Sequence, residues 1–424
     1  MWFVVYPVDA GEERNDRMER KKKINQYVKP ICGVMLTIYG VACLYLFYMQ
    51  SIQPLDYNNR YFQSDLPYHI SMIIDDGWYY SFTAYAYQLL YLLFGKSTIG
   101  IALFLAVLSV CSILLTEKLL RVLLETNLVP AGRKGITMLT FWSAFALNLV
   151  MPFFWKMAGQ YRYVSYQAGN IWHNSTYICM KVLALAAILC YLEVEKHYEE
   201  KIKPGQWLLF AGLLIICTGV KPSFLTVFAP ALALKLLWDL FHKVPIKQIF
   251  ILGCSVLPAC GVVLWQNAVL FGEETGQGFS IQPWFTFSLH ADRPKLAVLC
   301  SIAFPLVVLV CSLRELLRDK NYFFAWMMTG IGFLEALLLA ETGSRSNDGN
   351  FLWGYCFAIF YIFVVSFGKW CGLCRVAFGK ENVKNLWWYR ISALGCGVIF
   401  AYQLYCGIYF FLRLLTGETY FMVG

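Results

Sequence analysis

Between residues 50 and 96 the chain carries Asp56, Arg60, Asp65, His69, Asp75 and Asp76, in a sequence of which only 14% is charged. The run from Phe62 to Ile70, Phe-Gln-Ser-Asp-Leu-Pro-Tyr-His-Ile, reads as a loop entering a helix. Ser64 or Asp65 could cap that helix, with Pro67 in its first turn. Asp65 and His69 are four apart and share a helix face. Asp76 would fall near the same face. A carboxylate beside an imidazole can move a proton or bind a metal. A plain helix cap and an interfacial histidine would use the same residues. Asp65, Asp75 and Asp76 are all candidates for the base.

Three further segments gather polar side chains. The first runs from Tyr161 to Tyr177, where Gly169-Asn170 makes a turn and Trp172-His173-Asn174-Ser175-Thr176 opens a helix. Free N–H groups at a helix start suit an anion such as phosphate. Asn174 or Ser175 could equally be an ordinary cap, and Asn174-Ser175-Thr176 is also a formal glycosylation sequon. The second is Gly219-Val220-Lys221-Pro222-Ser223, which follows an apolar run of about 14 residues, or about 21 Å of helix. A run that short places the turn in a recess, where a lysine is costly and calls for a partner such as phosphate; snorkelling to the headgroups is the alternative. The third, from Glu341 to Tyr355, holds Arg345, whose guanidinium could fork onto phosphate or carboxylate, with Glu341 to hold it in place. Asn350 lies in the same segment.

The elements that must position these residues are membrane helices. Of 424 residues 59% are hydrophobic, far beyond what a soluble core needs, and a helix of about 20 apolar residues crosses the hydrocarbon. Hydropathy places eleven spans near 28–49, 97–117, 135–155, 176–194, 207–220, 223–241, 249–271, 295–313, 321–341, 352–368 and 391–413. The reading is therefore an all-α polytopic membrane protein. It has a basic arm over 1–27, a transmembrane domain over 28–413 with the long outer loop 50–96, and a short outer tail over 414–424. The arm carries Arg14, Arg17, Arg20 and Lys21 to Lys23 ahead of a retained first helix rather than a cleaved signal peptide.

Basic residues crowd alternate connections, among them Lys196, Lys201 and Lys203, Lys243 and Lys247, Arg314 and Arg318, and Lys380, Lys384 and Arg390. The intervening ones hold fewer, such as Arg60, Lys156 and Arg345. That alternation puts the N-terminus in the cytoplasm and the polar segments outside. It also accounts for the net charge of +9 without nucleic acid, for which no motif is present. The 15 cysteines lie mostly in apolar spans and read as small buried hydrophobes. Cys371-Gly-Leu-Cys374, the one CxxC, lacks a second pair or a histidine cluster for zinc.

In Phe62 to Ile70, Trp172-His173-Asn174, Lys221-Pro222-Ser223 and Gly349-Asn350-Phe351, the chain resembles the GT-C superfamily of membrane glycosyltransferases. More closely, it is similar to a Gram-positive branch of GT-C-like proteins. The resemblance in topology covers nearly the whole chain. It implies a bacterial cytoplasmic-membrane enzyme that takes a sugar from a polyprenyl-phosphate donor on the outer face. The acceptor would be a glycan or lipid of the cell envelope. Asp65 would be the general base or a ligand of a divalent cation, Mg or Mn. Lys221 and Arg345 would steady the leaving phosphate, and His69 and His173 would line the site with Asp76, Asn174 and Asn350. The large soluble C-terminal domain of oligosaccharyltransferase-like members is missing, with only about eleven residues after the last span. A flippase or transporter for a lipid-linked glycan would use the same cations but calls for charges deep in several spans, of which Lys181 is the main one. An inactive GT-C-like scaffold is a third reading.

Overall fold

The computed structural model describes residues 10–56, 61–127, 133–271, 278–379 and 385–424. Arg60, Lys380 and Lys384, used above for orientation, lie outside them. The protein is 72% helical, with little sheet.

The chain begins with α1 (Ala10–Ser51), whose apolar stretch is Pro30–Ser51. Two short helices, α2 (Leu66–Ile74) and α3 (Phe82–Leu93), fill the outer loop. Then come α4 (Ile99–Asn127), α5 (Arg133–Leu147), α6 (Ser175–Glu195), α7 (Pro204–Val220), α8 (Ser223–Phe241), α9 (Ile246–Cys254) and α10 (Leu257–Phe271). Strand β1 (Gly278–Ile281) pairs antiparallel with β2 (Leu339–Thr342), which places Phe279 opposite Glu341. Between the strands run α11 (Phe285–Ser288), α12 (Pro294–Ser301), α13 (Ala303–Cys311), α14 (Leu313–Leu316) and α15 (Lys320–Leu338). The long helices α16 (Leu352–Phe378) and α17 (Leu386–Leu415) close the bundle.

Helix occupies each of the eleven positions where hydropathy places a span. Among the described residues seven helices are long and apolar enough to cross a membrane, or up to eight if the α12–α13 pair, bent by 66°, counts as one. The chain is thus a multi-pass membrane protein. At Pro305, in the first turn of α13, no N–H is available to continue the ladder from α12. The backbone N–H of Phe304 goes instead to Gln403 Oε1 at 3.0 Å.

The stretch expected to be helical over 135–155 stops at Leu147. Asn148 turns its Nδ2 back onto Ala144 O at 2.8 Å, and Pro152 cannot resume the helix. The irregular chain that follows is buried over residues 148–152 and its backbone is satisfied by other elements, as membrane depth demands. Met151 N reaches Gln403 O at 3.1 Å and Phe153 N reaches Cys300 O at 3.0 Å.

One contiguous core runs through the bundle. The most buried candidate span is α16, with 78% of its window inside the protein, followed by α6 at 72%. Both are apolar on all sides, as central helices must be. Aromatic rings of Tyr191, Phe210, Phe228 and Phe324 pack at 5.0–6.1 Å between centroids where α6, α7, α8 and α15 meet. Lys181, on α6, is buried among neutral groups. Its Nζ donates to Asn170 Oδ1 at 2.6 Å and Asn148 Oδ1 at 3.2 Å and lies 3.6 Å from the Phe360 ring centre.

The connections that begin or end α1, α2, α6, α7, α8, α16 and α17 meet at one end of the bundle. Here the tail folds back. Phe62 N donates to Gly417 O at 2.9 Å and Gly424 N to Gln160 O at 3.1 Å, and Val423 bridges Tyr161. The short tail after α17 is a strap over this end. At the opposite end the charges are paired. Lys235 lies 2.7 Å from Asp239 and 3.8 Å from Glu195, and Lys320 lies 3.2 Å from Glu199.

Candidate functional site

Asp65 is the cap residue of α2, yet its carboxylate makes no capping bond. Ser64 takes that task, accepting from Leu66 N at 3.3 Å. The Asp65 side chain points across the bundle end instead, where Oδ2 accepts from Asn174 Nδ2 at 2.7 Å. Its backbone N–H donates to His173 O at 3.0 Å. The starts of α2 and α6 are thus tied together at Asp65.

Asn174 divides its amide between two duties. Its Oδ1 caps α6, accepting from Tyr177 N and Thr176 Oγ1, each at 2.9 Å. Its Nδ2 is left for Asp65. Thr176 carries the network onward, since Lys221 Nζ donates to Thr176 Oγ1 at 3.2 Å.

Lys221 ends α7 in a turn that is fixed by its neighbours. Ser81 Oγ donates to Gly219 O at 3.1 Å and Val220 O at 2.8 Å, and Gln266 Nε2 donates to Gly219 O at 2.9 Å. Only glycine fits at 219, because a Cβ there would strike the Phe82 ring. The ammonium lies 4.9 Å from the centre of the Trp353 ring. Among the described residues no carboxylate comes within ion-pair distance of it. Burial pushes its pKa down to about 8. Asp65 opposes that shift, Arg345 adds to it, and Glu341 and Asp348 counter it.

His69 follows Asp65 on the first turn of α2, its backbone N–H donating to Asp65 O at 3.0 Å. The two side chains do not hydrogen-bond to each other. Burial pushes the His69 pKa down to about 4, against the pull of Asp65 and with help from Lys221 and Arg345. His173 is pushed down chiefly by burial as well. Its ring stacks on Tyr420 of the strap at 4.3 Å and meets Tyr163 edge-on at 5.2 Å. Both imidazoles are therefore neutral at pH 7.

Arg345 is held by Asp348, Nε to Oδ2 at 2.9 Å, rather than by Glu341 as expected. Glu341 is occupied with Asn350, accepting from its N at 3.1 Å and its Nδ2 at 2.9 Å. Asn350 Oδ1 in turn accepts from Trp353 Nε1 at 3.2 Å. The Asn350 side chain thus braces the loop and sets Trp353, whose ring faces Lys221. Asp75 and Asp76 lie exposed beyond the far end of α2, about 13 Å of helix from Asp65. Asp75 accepts from Ser71 Oγ at 2.9 Å. Asp65 is the carboxylate of that loop whose charge reaches Lys221.

Thr176, Trp353, Tyr80 and Tyr420 join the site without having stood out in the sequence. Burial raises the Tyr80 pKa, with Arg345 pulling it down and Asp65 and Asp348 pushing it up. Tyr80 is thus a neutral hydroxyl among the site's charges. An apolar cleft of about 460 Å³ opens beside the Lys221 turn, between α3 and α10. Phe82, Tyr85, Pro258, Gly261, Val262 and Trp265 line it.

The donor set at Asp65 does not suit a divalent cation. Among the described residues no group of three metal-ligating side chains includes Asp65; it has an amide N–H on one oxygen and the charges of Lys221 and Arg345 nearby, and a dication needs several oxygen ligands. What the arrangement can do is hold an anion against Lys221, with the Asp348-paired Arg345 nearby, next to a carboxylate able to accept a proton. Compared with known protein families, curated proteins and solved structures, the chain matches none.

Proposed function

We propose that the protein is a GT-C-like membrane glycosyltransferase of the bacterial cytoplasmic membrane. It moves a sugar from a polyprenyl-phosphate donor to a cell-envelope glycan or lipid on the outer face. The observation that carries this reading is Lys221, a recessed ammonium with no carboxylate partner among the described residues, set in one site with Arg345 and Asp65. An uncompensated cation in a recess favours an anion as its natural partner.

In this reading the donor phosphate lies against Lys221 and Arg345, and its lipid tail leaves through the cleft between α3 and α10. Asp65 takes the proton of the acceptor hydroxyl. The new bond forms from that oxygen to the anomeric carbon as the bond from carbon to phosphate oxygen breaks. The electron pair stays on the leaving phosphate, where the two cations hold it. His69 and His173, both neutral, line the site and add no positive charge.

The test supplies the protein, purified in lipid, with radiolabelled polyprenyl-phosphate hexose. Native protein should release sugar to an acceptor. Asp65→Asn, which keeps the shape and removes the base, should lose at least about 100-fold in turnover while still binding donor. Turnover should survive chelation of divalent cations, because the charge stabilisation comes from side chains. Donor binding without turnover in the native protein, across a panel of donors and acceptors, would overturn the enzyme in favour of transport or a scaffold.

A further inference from the structure

The irregular segment between α5 and α6 presents a second cation, on the other side of the wall that carries His173. Residues 162 and 163 point in opposite directions. The Tyr163 ring packs on His173 and on Phe410, at 5.2 and 5.4 Å. Arg162 turns instead toward Tyr409, near the end of α17. Its guanidinium carbon lies 4.3 Å from the centre of the Phe154 ring and 4.5 Å from that of Tyr409.

Two aromatic rings thus pack against the guanidinium. The five N–H donors of arginine lie in the plane of the group, so stacking between rings consumes none of them. Among the described residues the Arg162 side chain makes no ion pair and no hydrogen bond. Its backbone is fixed, with N donating to Met422 O at 2.8 Å. The clasp therefore holds a planar donor edge in a set place with nothing assigned to it.

The surroundings are those of a bilayer surface. Trp155 and Met157 are 43% and 53% exposed. On α17, Tyr402, Tyr405 and Tyr409 form a ladder with centroids 6.2 and 6.4 Å apart. Tyr402 Oη donates to Phe154 O at 3.1 Å. Tyrosine and tryptophan collect at headgroup level, and arginine's fork matches a phosphate better than any other side chain does.

We propose that Arg162, clasped by Phe154 and Tyr409, binds the phosphate of an anionic phospholipid headgroup, at a place separate from the Asp65–Lys221 site. The site is independent of the transferase reading. A lipid is the occupant because the exposed Trp155, Met157 and Tyr405 beside the clasp are apolar and aromatic, with one exposed cation, Lys156, among them, so an anionic phosphate carried at headgroup depth reaches it directly.

The experiment reconstitutes the full chain in phosphatidylcholine bilayers containing phosphatidylglycerol and counts retained lipids by native mass spectrometry. Wild type should keep one phosphatidylglycerol that Arg162→Gln loses, with occupancy falling about tenfold. Lys96→Gln, which removes an exposed charge elsewhere, should keep it. Equal retention by Arg162→Gln would overturn the site. Should that variant fail to fold, Arg162→Lys keeps the charge without the fork. It should unfold at the wild-type temperature in pure phosphatidylcholine yet lose the preference for phosphatidylglycerol; an unchanged preference would overturn the site. Inorganic phosphate or glycerol phosphate should not displace the bound lipid, and displacement at matched concentration would overturn the lipid as the source.

Discussion

The ionisable residues around Asp65 do not share one charge state, and that difference sets what each can do. With its pKa near 4, His69 carries no charge at neutral pH, and His173 is pushed the same way. Lys221, near 8, is mostly protonated at pH 7 and loses its proton within a pH unit or two above that. The folded pKa lies below the unfolded value of 10.5. Between about pH 8 and 10.5 the unfolded chain therefore holds a proton that the folded chain has released, and this group makes folding more favourable as pH rises. Phosphate affinity moves the other way. Binding of polyprenyl-phosphate hexose, a phosphodiester with no second ionisation, in nanodiscs should be level from about pH 6 to 7.5 and fall through about pH 8 to 9, while Lys221→Arg should stay level to pH 9. Lys221→Met should weaken binding about tenfold or more at pH 7. A level wild-type profile would remove Lys221 as the phosphate ligand. Lys221 and Asp65 could be picked out of the sequence because charge is scarce in it. Tyr420 and Trp353 could not, because 17% of the residues are aromatic and nothing local separates a ring that faces the site from one that fills the core. Asn350 shows the reverse problem, since the sequence does not tell whether an amide serves a ligand or a neighbouring carboxylate.

At the scale of elements, α6 begins where the site needs it because Asn174 does two jobs with one amide, and substitution can separate them. Asn174→Ser keeps a good cap, so thermal stability should change by less than about 1 kcal/mol, while Asp65 loses its Nδ2 donor. Asn174→Ala loses both and should cost about 1–2 kcal/mol. Sugar release should fall in the two variants alike if the contact with Asp65 is what matters, with only alanine lowering the melting temperature appreciably. Activity that follows stability instead would make Asn174 a cap and nothing more. The helix starts were readable, since caps and a proline in the first turn are local signals. The end of α5 at Leu147 was not. The run 148–155 is apolar enough for helix, and it is irregular because Asn170, Cys300 and Gln403 satisfy its backbone from a distance. The docked tail depends on the same kind of long-range bonding, through Gly417, Met422 and Gly424.

At the scale of the molecule, the polar segments fall together because successive helices alternate in direction, so connections that are scattered in sequence share an end. Hydropathy alone showed a multi-pass helical protein. The number of crossings is harder to read, since α5 and α7 are short and α12–α13 is bent, and a short helix can cross only where neighbours shield its ends. Which end faces out rests on the basic residues. The loops at the Asp65 end hold few, whereas the opposite end carries Lys196, Lys201, Lys203, Lys243 and Lys247, and such residues stay in the cytoplasm. The expected arrangement therefore has the Asp65 end outside. An epitope inserted after Asp76, exposed beyond α2, should be reached by antibody on intact cells. One inserted after Glu200, at the paired-charge end, should be reached only after the membrane is opened. An epitope between α14 and α15, at Arg318, should behave like the one at Glu200, because an even number of crossings separates the two in the eleven-span arrangement. If Asp76 is reached only in opened cells, the site faces the cytoplasm and the donor must be sought on that side. If Glu200 and Arg318 fall on opposite sides, an odd number of the spans between them crosses, and the short α7 or the bent pair α12–α13 is then a segment that enters and leaves by the same face.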